Sequence, residues 1–373
     1  MPKNNNKKVV VAMSGGVDSS VSAALLKEQG FSVAGVFIRT WNSPEHLKSE
    51  KMAQLVAKKI GIPFYIINAK KEFKKKVVDY FLNEYKSGRT PNPCVVCNKE
   101  IKFGLLIEKA LKMGADYVAT GHYARRQSSA SVRPPARTHS GFGNFSPSAN
   151  RAKLPAGYAS DLPPRLFKGK DKEKDQSYFL WQLNQKQLSR VLFPVGNYTK
   201  PEVRKLAKKF NLPSAEKKES QEVCFINETT NNFLKRYLKL KPGNIIDKNK
   251  KIIGKHQGLW LYTIGQRKGI GLGGGPYYVV EKDFKSNNLI VSTNKNDLLK
   301  KELSAESINW ISGKKPKVFT KLKAKIRYRS KESQILSVFG KKILFKSPQP
   351  AITPGQSVVF YDKNELVGGG IIK

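Results

Sequence analysis

From Lys8 to Thr120 the chain alternates short runs of consecutive apolar residues with longer stretches whose apolar positions recur every three or four residues. Continuous apolar runs predict strands buried on both faces, and the longer period predicts helices. The expected strands are Lys8–Met13, Ser32–Ile38, Phe64–Asn68 and Tyr117–Thr120. Between them fall helices at Ser19–Gln29 (closed by Gly30), Pro44–Ile60 (closed by Gly61), Phe73–Tyr85 and Lys99–Met113. Strands and helices in strict alternation make an α/β fold, an open parallel sheet with helices on both faces.

The rhythm stops at Gln127. Residues 127–164 are rich in Ser, Pro, Ala, Gly and Arg and show no period. They predict a flexible insertion or, functionally, a basic arm along RNA phosphates through Arg133, Arg137, Arg151 and Arg165. Pattern returns at Leu166, with a helix Pro201–Phe210 capped by Thr199 and a short helix Asn232–Leu238 among Gly-rich turns. Short alternating segments then predict a six-stranded β-barrel from Leu289–Ser292, Val318–Tyr328, Ile335–Phe339, Lys342–Phe345, Ser357–Tyr361 and Val367–Ile371.

Composition narrows the function. The 373 residues hold 69 Lys+Arg against 28 Asp+Glu, a formal net charge of +41. That balance favours a polyanionic partner, nucleic acid first, although a general lysine bias produces the same excess. No apolar run approaches the ~18 residues of a membrane span, so no membrane partner is expected. Three cysteines are too few for a disulfide scaffold and point to a reducing cytosol.

Two local motifs carry chemistry. Ser14-Gly15-Gly16-Val17-Asp18-Ser19-Ser20 joins the first strand to the first helix. Its glycines let the backbone approach a ligand, and its N–H groups and hydroxyls then face an anion at a helix N-terminus. The string is neither GxxxxGK[ST] nor GxGxxG; the chemistry it suits is pyrophosphate binding during transfer of AMP from ATP, with Mg²⁺ and Asp18 as its contact. The plainer reading is a capped Gly-Gly turn.

The second motif, Pro91-Asn92-Pro93-Cys94-Val95-Val96-Cys97-Asn98-Lys99, puts a CxxC at a helix start. Such a position, with Lys99 and Lys102 nearby, is expected to lower the thiol pKa. A four-ligand zinc site lacks a second CxxC, and a redox pair sits poorly between two prolines. The third cysteine, Cys224, reads alone as a small buried hydrophobe. Beside an adenylating loop it reads as the partner of a sulfur relay, one thiol carrying a persulfide that the other attacks.

Taken jointly and in this order, the motifs resemble the tRNA-specific 2-thiouridylases of the pyrophosphate-loop ATPase superfamily. The strings are Met13 to Ser20, Thr90 to Phe103, Thr120 to Arg125, Lys174 to Leu180, Phe193 to Gly196, Val223 to Ile226, Gly254 to Gly258, Tyr262 to Gly269 and Gly368 to Ile372. The resemblance implies an adenine-nucleotide-binding domain over 1–215 (with 127–164 inserted), a small α+β tRNA/persulfide domain over 216–283 and a β-barrel over 284–373. It implies ATP-dependent 2-thiolation of the wobble uridine in the Lys, Glu and Gln isoacceptors, with a cysteine desulfurase or sulfur-relay protein as donor.

Site roles follow from the same resemblance. Ala12, Met13, Ser14, Gly15, Gly16, Val17, Asp18, Ser19, Ile38 and Gly121 would hold ATP. Asn92, Pro93 and Cys94 would face the target base, and His122, Lys174, Asp175, Gln176, Arg327, Tyr328 and Gln356 would touch tRNA. Cys97 and Cys224 would be catalytic, Cys224 as persulfide carrier. Cys94 stands where some members carry an aspartate, which leaves the general base open. Three alternatives stay open: another adenylating ligase, an iron–sulfur cluster on the three cysteines as sulfur carrier, and a catalytically idle RNA binder.

Overall fold

Val9, Val10 and Val11 are all buried, and because successive strand residues point to opposite faces they need cover on both sides. The structure, a computed structural model, describes residues 7–127, 163–217 and 223–373. In it β1 (Lys8–Ala12) lies at the centre of a parallel sheet. The sheet also contains β2 (Ser32–Arg39), β3 (Phe64–Asn68), β4 (Tyr117–Ala119) and a short strand, Val191–Leu192, in the order β3-β2-β1-β4-(191–192). Val9 and Val11 pack with Val21 and Leu25 of α1 (Val17–Glu28), Ala53 and Val56 of α2 (Pro44–Ile60) and Val203 of the helix Lys200–Lys209. Val10 faces the other way, toward Phe103, Leu106 and Ala110. The open parallel sheet covered on both faces is thus present.

Two further helices continue through π-helical turns. Lys70–Phe73, Lys74–Val78 and Asp79–Lys86 form one; Pro93–Cys97, Asn98–Leu105 and Leu106–Lys112 form the other. The second therefore starts at Pro93, ahead of the expected Lys99, so both CxxC thiols lie inside it. The middle unit holds the helix Thr230–Tyr237 and a four-stranded mixed sheet built from Gly243–Ile246, Ile252–His256, Tyr278–Asp283 and Asn288–Ser292.

The barrel has six strands, as expected, but not the six expected. Its strands are Leu299–Trp310, Lys323–Lys325, Ser333–Phe339, Lys342–Pro350, Ser357–Asp362 and Glu365–Ile372, and it closes where the first pairs with the last. Leu289–Ser292 belongs to the middle sheet instead, running parallel to Gly243–Ile246. The strand missed was Leu299–Trp310, whose sequence Leu-Lys-Lys-Glu-Leu-Ser-Ala-Glu-Ser-Ile-Asn-Trp begins with charged residues and conceals its alternation. Ala124–Gln127 and Arg165–Lys168, which flank the insertion, pair with each other and then with Glu365–Ile372. Arg165, still exposed, pairs there with Glu365, whereas Arg133, Arg137 and Arg151 lie outside the described residues.

Candidate functional site

The strand order reverses between β1 and β4, and the phosphate loop leaves β1 at that crevice, the place where open α/β sheets bind ligands. Gly15 has φ +72, and a Cβ on it would lie 2.1 Å from the Ser49 carbonyl oxygen of α2, so glycine alone fits. Gly16 stands at the N-cap of α1 without a side chain to occupy the first N–H groups, which leaves that end suited to an anion. Ser19 Oγ accepts from the Ser14 amide at 3.1 Å and gives the loop its shape. Across the crevice Gly121 follows β4, and a Cβ there would meet the Ser19 amide nitrogen at 2.6 Å. The two halves of the cradle are in contact, and Ile38 lies near the end of the neighbouring strand β2. These residues fit an ATP pyrophosphate.

Asp18 does something the sequence did not disclose. Its carboxylate accepts from Lys200 Nζ at 2.7 and 2.8 Å and from the Tyr123 hydroxyl at 2.7 Å. The lysine is nearly enclosed, with 9% of its side chain accessible, and its backbone N–H is held by Asp171. Asp18 thus fixes a buried ammonium beside the loop. Among the described residues no group of three or more His, Cys, Asp or Glu is placed to hold a metal ion.

The thiols form the second part of the site. Cys97 packs at the edge of a core that contains Phe225, Ile226 and Phe73. Phe225 brings in its neighbour Cys224: its ring lies 5.7 Å from Phe73, 5.4 Å from Phe81, 5.5 Å from Phe233 and 6.0 Å from Trp41, in mostly edge-to-face geometry. Trp41, Phe73 and Phe81 come from the N-terminal domain and Phe233 from the middle unit, so one phenylalanine anchors the Cys224 segment between them. Cys94, Cys97 and Cys224 are close enough that the other two thiols raise the pKa of Cys224. Lys102 acts on all three in the opposite direction.

Their acidity corrects the expectation. Cys94 and Cys224 reach solvent and Cys97 is half-buried. Even so, loss of hydration among the surrounding protein atoms outweighs Lys102 and pushes Cys97 up to about 11 and Cys224 up to about 12. The Lys99 ammonium lies 3.9 Å from Glu100.

In the turn expected to face the base, Asn92 is half-buried, Pro93 buried and Cys94 exposed. Most of the expected tRNA contacts look inward. His122 is buried, shares a 2.8 Å hydrogen bond with the Thr120 hydroxyl, and is kept neutral by desolvation. Asp175 is buried and accepts from the Gly169 and Ser177 amides and the Ser177 hydroxyl. Gln176 accepts from the Tyr123 amide. Tyr328 packs on Phe179 with ring centres 4.5 Å apart. Arg327 donates to the carbonyls of Ile264 and Ala351 and to Thr353, and Gln356 donates to the Thr90 carbonyl. Polar side chains of these motifs thus fix turns and packing within the chain. Lys174, at the start of the run Lys174 to Leu180, is half-buried.

A phosphate cradle at the switch point of a parallel sheet, with two small domains appended, defines a nucleotide-binding protein. Family comparison agrees. Residues 7–228 match a tRNA methyl transferase HUP domain, 231–293 a tRNA methyl transferase PRC-barrel domain and 300–372 an aminomethyltransferase beta-barrel domain. Among relatives, tRNA-specific 2-thiouridylase MnmA 1 of Caldanaerobacter subterraneus subsp. tengcongensis is 46% identical over 388 residues, covering 99% of this chain and 98% of the relative. The corresponding protein of Carboxydothermus hydrogenoformans is 43% identical over 387 residues, covering 98% of each. The chain belongs to the tRNA-specific 2-thiouridylase family.

Proposed function

We propose that this protein is an ATP-dependent tRNA-uridine 2-sulfurtransferase acting on the wobble uridine of the Lys, Glu and Gln tRNAs. The proximity of Cys97 and Cys224, with Phe225 anchoring the segment that carries Cys224, is the observation that carries this reading. The C2 oxygen of uridine is a poor leaving group. Its attack on the α-phosphorus of ATP, with pyrophosphate departing, converts it into an AMP ester. Ala12 to Ser19, Ile38 and Gly121 hold the nucleotide, and Lys200 offers charge beside the phosphates.

Sulfur arrives as a persulfide on Cys224, loaded by a cysteine desulfurase or a relay protein. Its terminal sulfur attacks C2, the C2–O bond breaks and AMP leaves, giving a Cys224–S–S–C2 linkage. The Cys97 thiolate then attacks Cys224 Sγ, so that the S–S bond breaks. The transferred sulfur, reduced, stays on C2 as 2-thiouridine, and Cys97 and Cys224 are oxidised to a disulfide that a cellular dithiol reduces. Asn92, Pro93 and Cys94 face the base, which must leave its stack at a cost of a few kcal/mol offset by phosphate and aromatic contacts.

The test is reconstitution of the full chain with ATP, a persulfide-generating desulfurase and wobble-uridine tRNA, read by nucleoside mass spectrometry. The Cys224→Ser variant should lose thiolation while keeping tRNA affinity. Thiolation that survives Cys224→Ser overturns the relay, and none from the wild type leaves only an RNA binder.

A further inference from the structure

The motif Ile352-Thr353-Pro354-Gly355-Gln356 joins two barrel strands, yet its contacts lead to the thiol helix. Gln356 Nε2 donates to the Thr90 carbonyl at 2.7 Å and more weakly to the Pro91 carbonyl at 3.4 Å. The Thr90 amide donates back to the Pro354 carbonyl at 2.8 Å. Gly355, at φ +91, lies so close that a Cβ would meet three Thr90 backbone atoms at 2.9 Å. The middle unit joins through Thr263, whose hydroxyl is 3.2 Å from that of Thr90. Arg327 then ties the barrel loop to the same unit, spanning the carbonyls of Ala351 and Ile264.

The start of the segment held in this way has few donors of its own. Pro91 and Pro93 have no N–H to donate, and the Asn92 side chain does not cap the helix Pro93–Cys97. At its start the Val95 amide reaches back to the Asn92 carbonyl at a long 3.3 Å. The direction in which Cys94 and Cys97 leave the loop is therefore set from outside it. We propose that Gln356 is a positioning residue for sulfur transfer: from the barrel it clamps Thr90 and Pro91 and so aims the Asn92–Cys97 segment at the substrate base. The proposal rests on the thiolation reading above and differs from the expectation that Gln356 grips tRNA.

The test uses full-length protein with Gln356→Leu, which keeps the volume and removes the donor, and Gln356→Glu, which keeps polarity but turns an acceptor toward two carbonyls. Three quantities are read: thiolation kcat and KM, tRNA affinity across a salt series, and the rate of Cys97 alkylation by iodoacetamide, located by peptide mapping. Both variants should lose about tenfold or more in kcat. Their tRNA affinity and its salt slope should stay within about twofold of wild type, too small a change for the loss of a phosphate contact. Cys97 alkylation should accelerate as the helix start loosens.

A fall in tRNA affinity with kcat intact at saturating tRNA overturns the proposal and makes Gln356 an RNA contact. Unchanged kcat and unchanged alkylation in both variants overturn it as well. If neither variant folds, Thr353→Val, which removes only a hydroxyl that Arg327 holds, substitutes with the same expectations at smaller amplitude. Faster Cys97 alkylation in a protein whose wild type never thiolates tRNA would leave the clamp standing and sink the functional reading, so the two failures are separable.

Discussion

At the scale of single residues, the thiols show how burial overrides a helix terminus. The cradle and the CxxC were legible because their chemistry needs neighbours in sequence: two glycines at one turn, two sulfurs on one helical face. The thiol acidity was not, because it depends on Phe225 and its neighbours, brought in from far along the chain. A thiolate is the nucleophile, so a pKa near 11 means a small reactive fraction at neutral pH. Alkylation of Cys97 should rise about tenfold per pH unit from pH 7 and level only near 11. Lys102→Gln removes the charge that lowers all three thiols and should slow alkylation at pH 8. A Cys97 already at its plateau by pH 8 contradicts the crowding. Folding linkage has the matching sign. A thiol with a raised folded pKa contributes stability below the free value of ~8.5, and that stability is lost as pH climbs toward about 12.

At the scale of elements, the helices and parallel strands were readable because each carries its own period and stop signal. Pro44–Ile60 and Phe64–Asn68 appear with the bounds their apolar patterns predicted. The barrel was harder. Its strands are defined by partners far away, and the charged start of Leu299–Trp310 hides a strand whose inward face is Leu303 and Ala305. The glycines ending the chain have a reason that only packing reveals. The fully buried Trp181 lies on Glu365–Ile372, where a Cβ on Gly369 would come within 2.7 Å of its ring and 2.8 Å of the Val358 carbonyl. Trp181 also donates to Ser357 Oγ at 3.0 Å, and Asn309 donates to its carbonyl at 2.6 Å. Gly369→Ala should therefore cost about 1–3 kcal/mol by overpacking. Differential scanning calorimetry should show a lower thermal midpoint; one unchanged within error would mean that the indole has room to move.

At the scale of the whole molecule, the three units converge on the segment Thr90 to Cys97, and a large positive charge surrounds them. The charge of +41 does not itself count contacts with RNA. Each phosphate neutralised releases condensed counterions, so the salt slope of binding measures how many of the 69 Lys+Arg the polyanion meets. Several exposed lysines are already engaged: Lys74 by Asp79, Lys76 by Glu100 and Lys112 by Glu108. Such exposed pairs are worth little, so a phosphate can displace the carboxylate from them at small cost. Affinity for tRNA should then fall on the order of a hundredfold or more between about 50 and 200 mM salt, as for a protein making several phosphate contacts. Alkylation of Cys97 in the absence of RNA, which needs no polyanion, should change little over the same range. Filter binding across the series checks the first and peptide mapping the second. A nearly flat binding curve would mean that the excess lysine lies on faces RNA never touches, and that recognition rests on the few uncharged groups around Asn92.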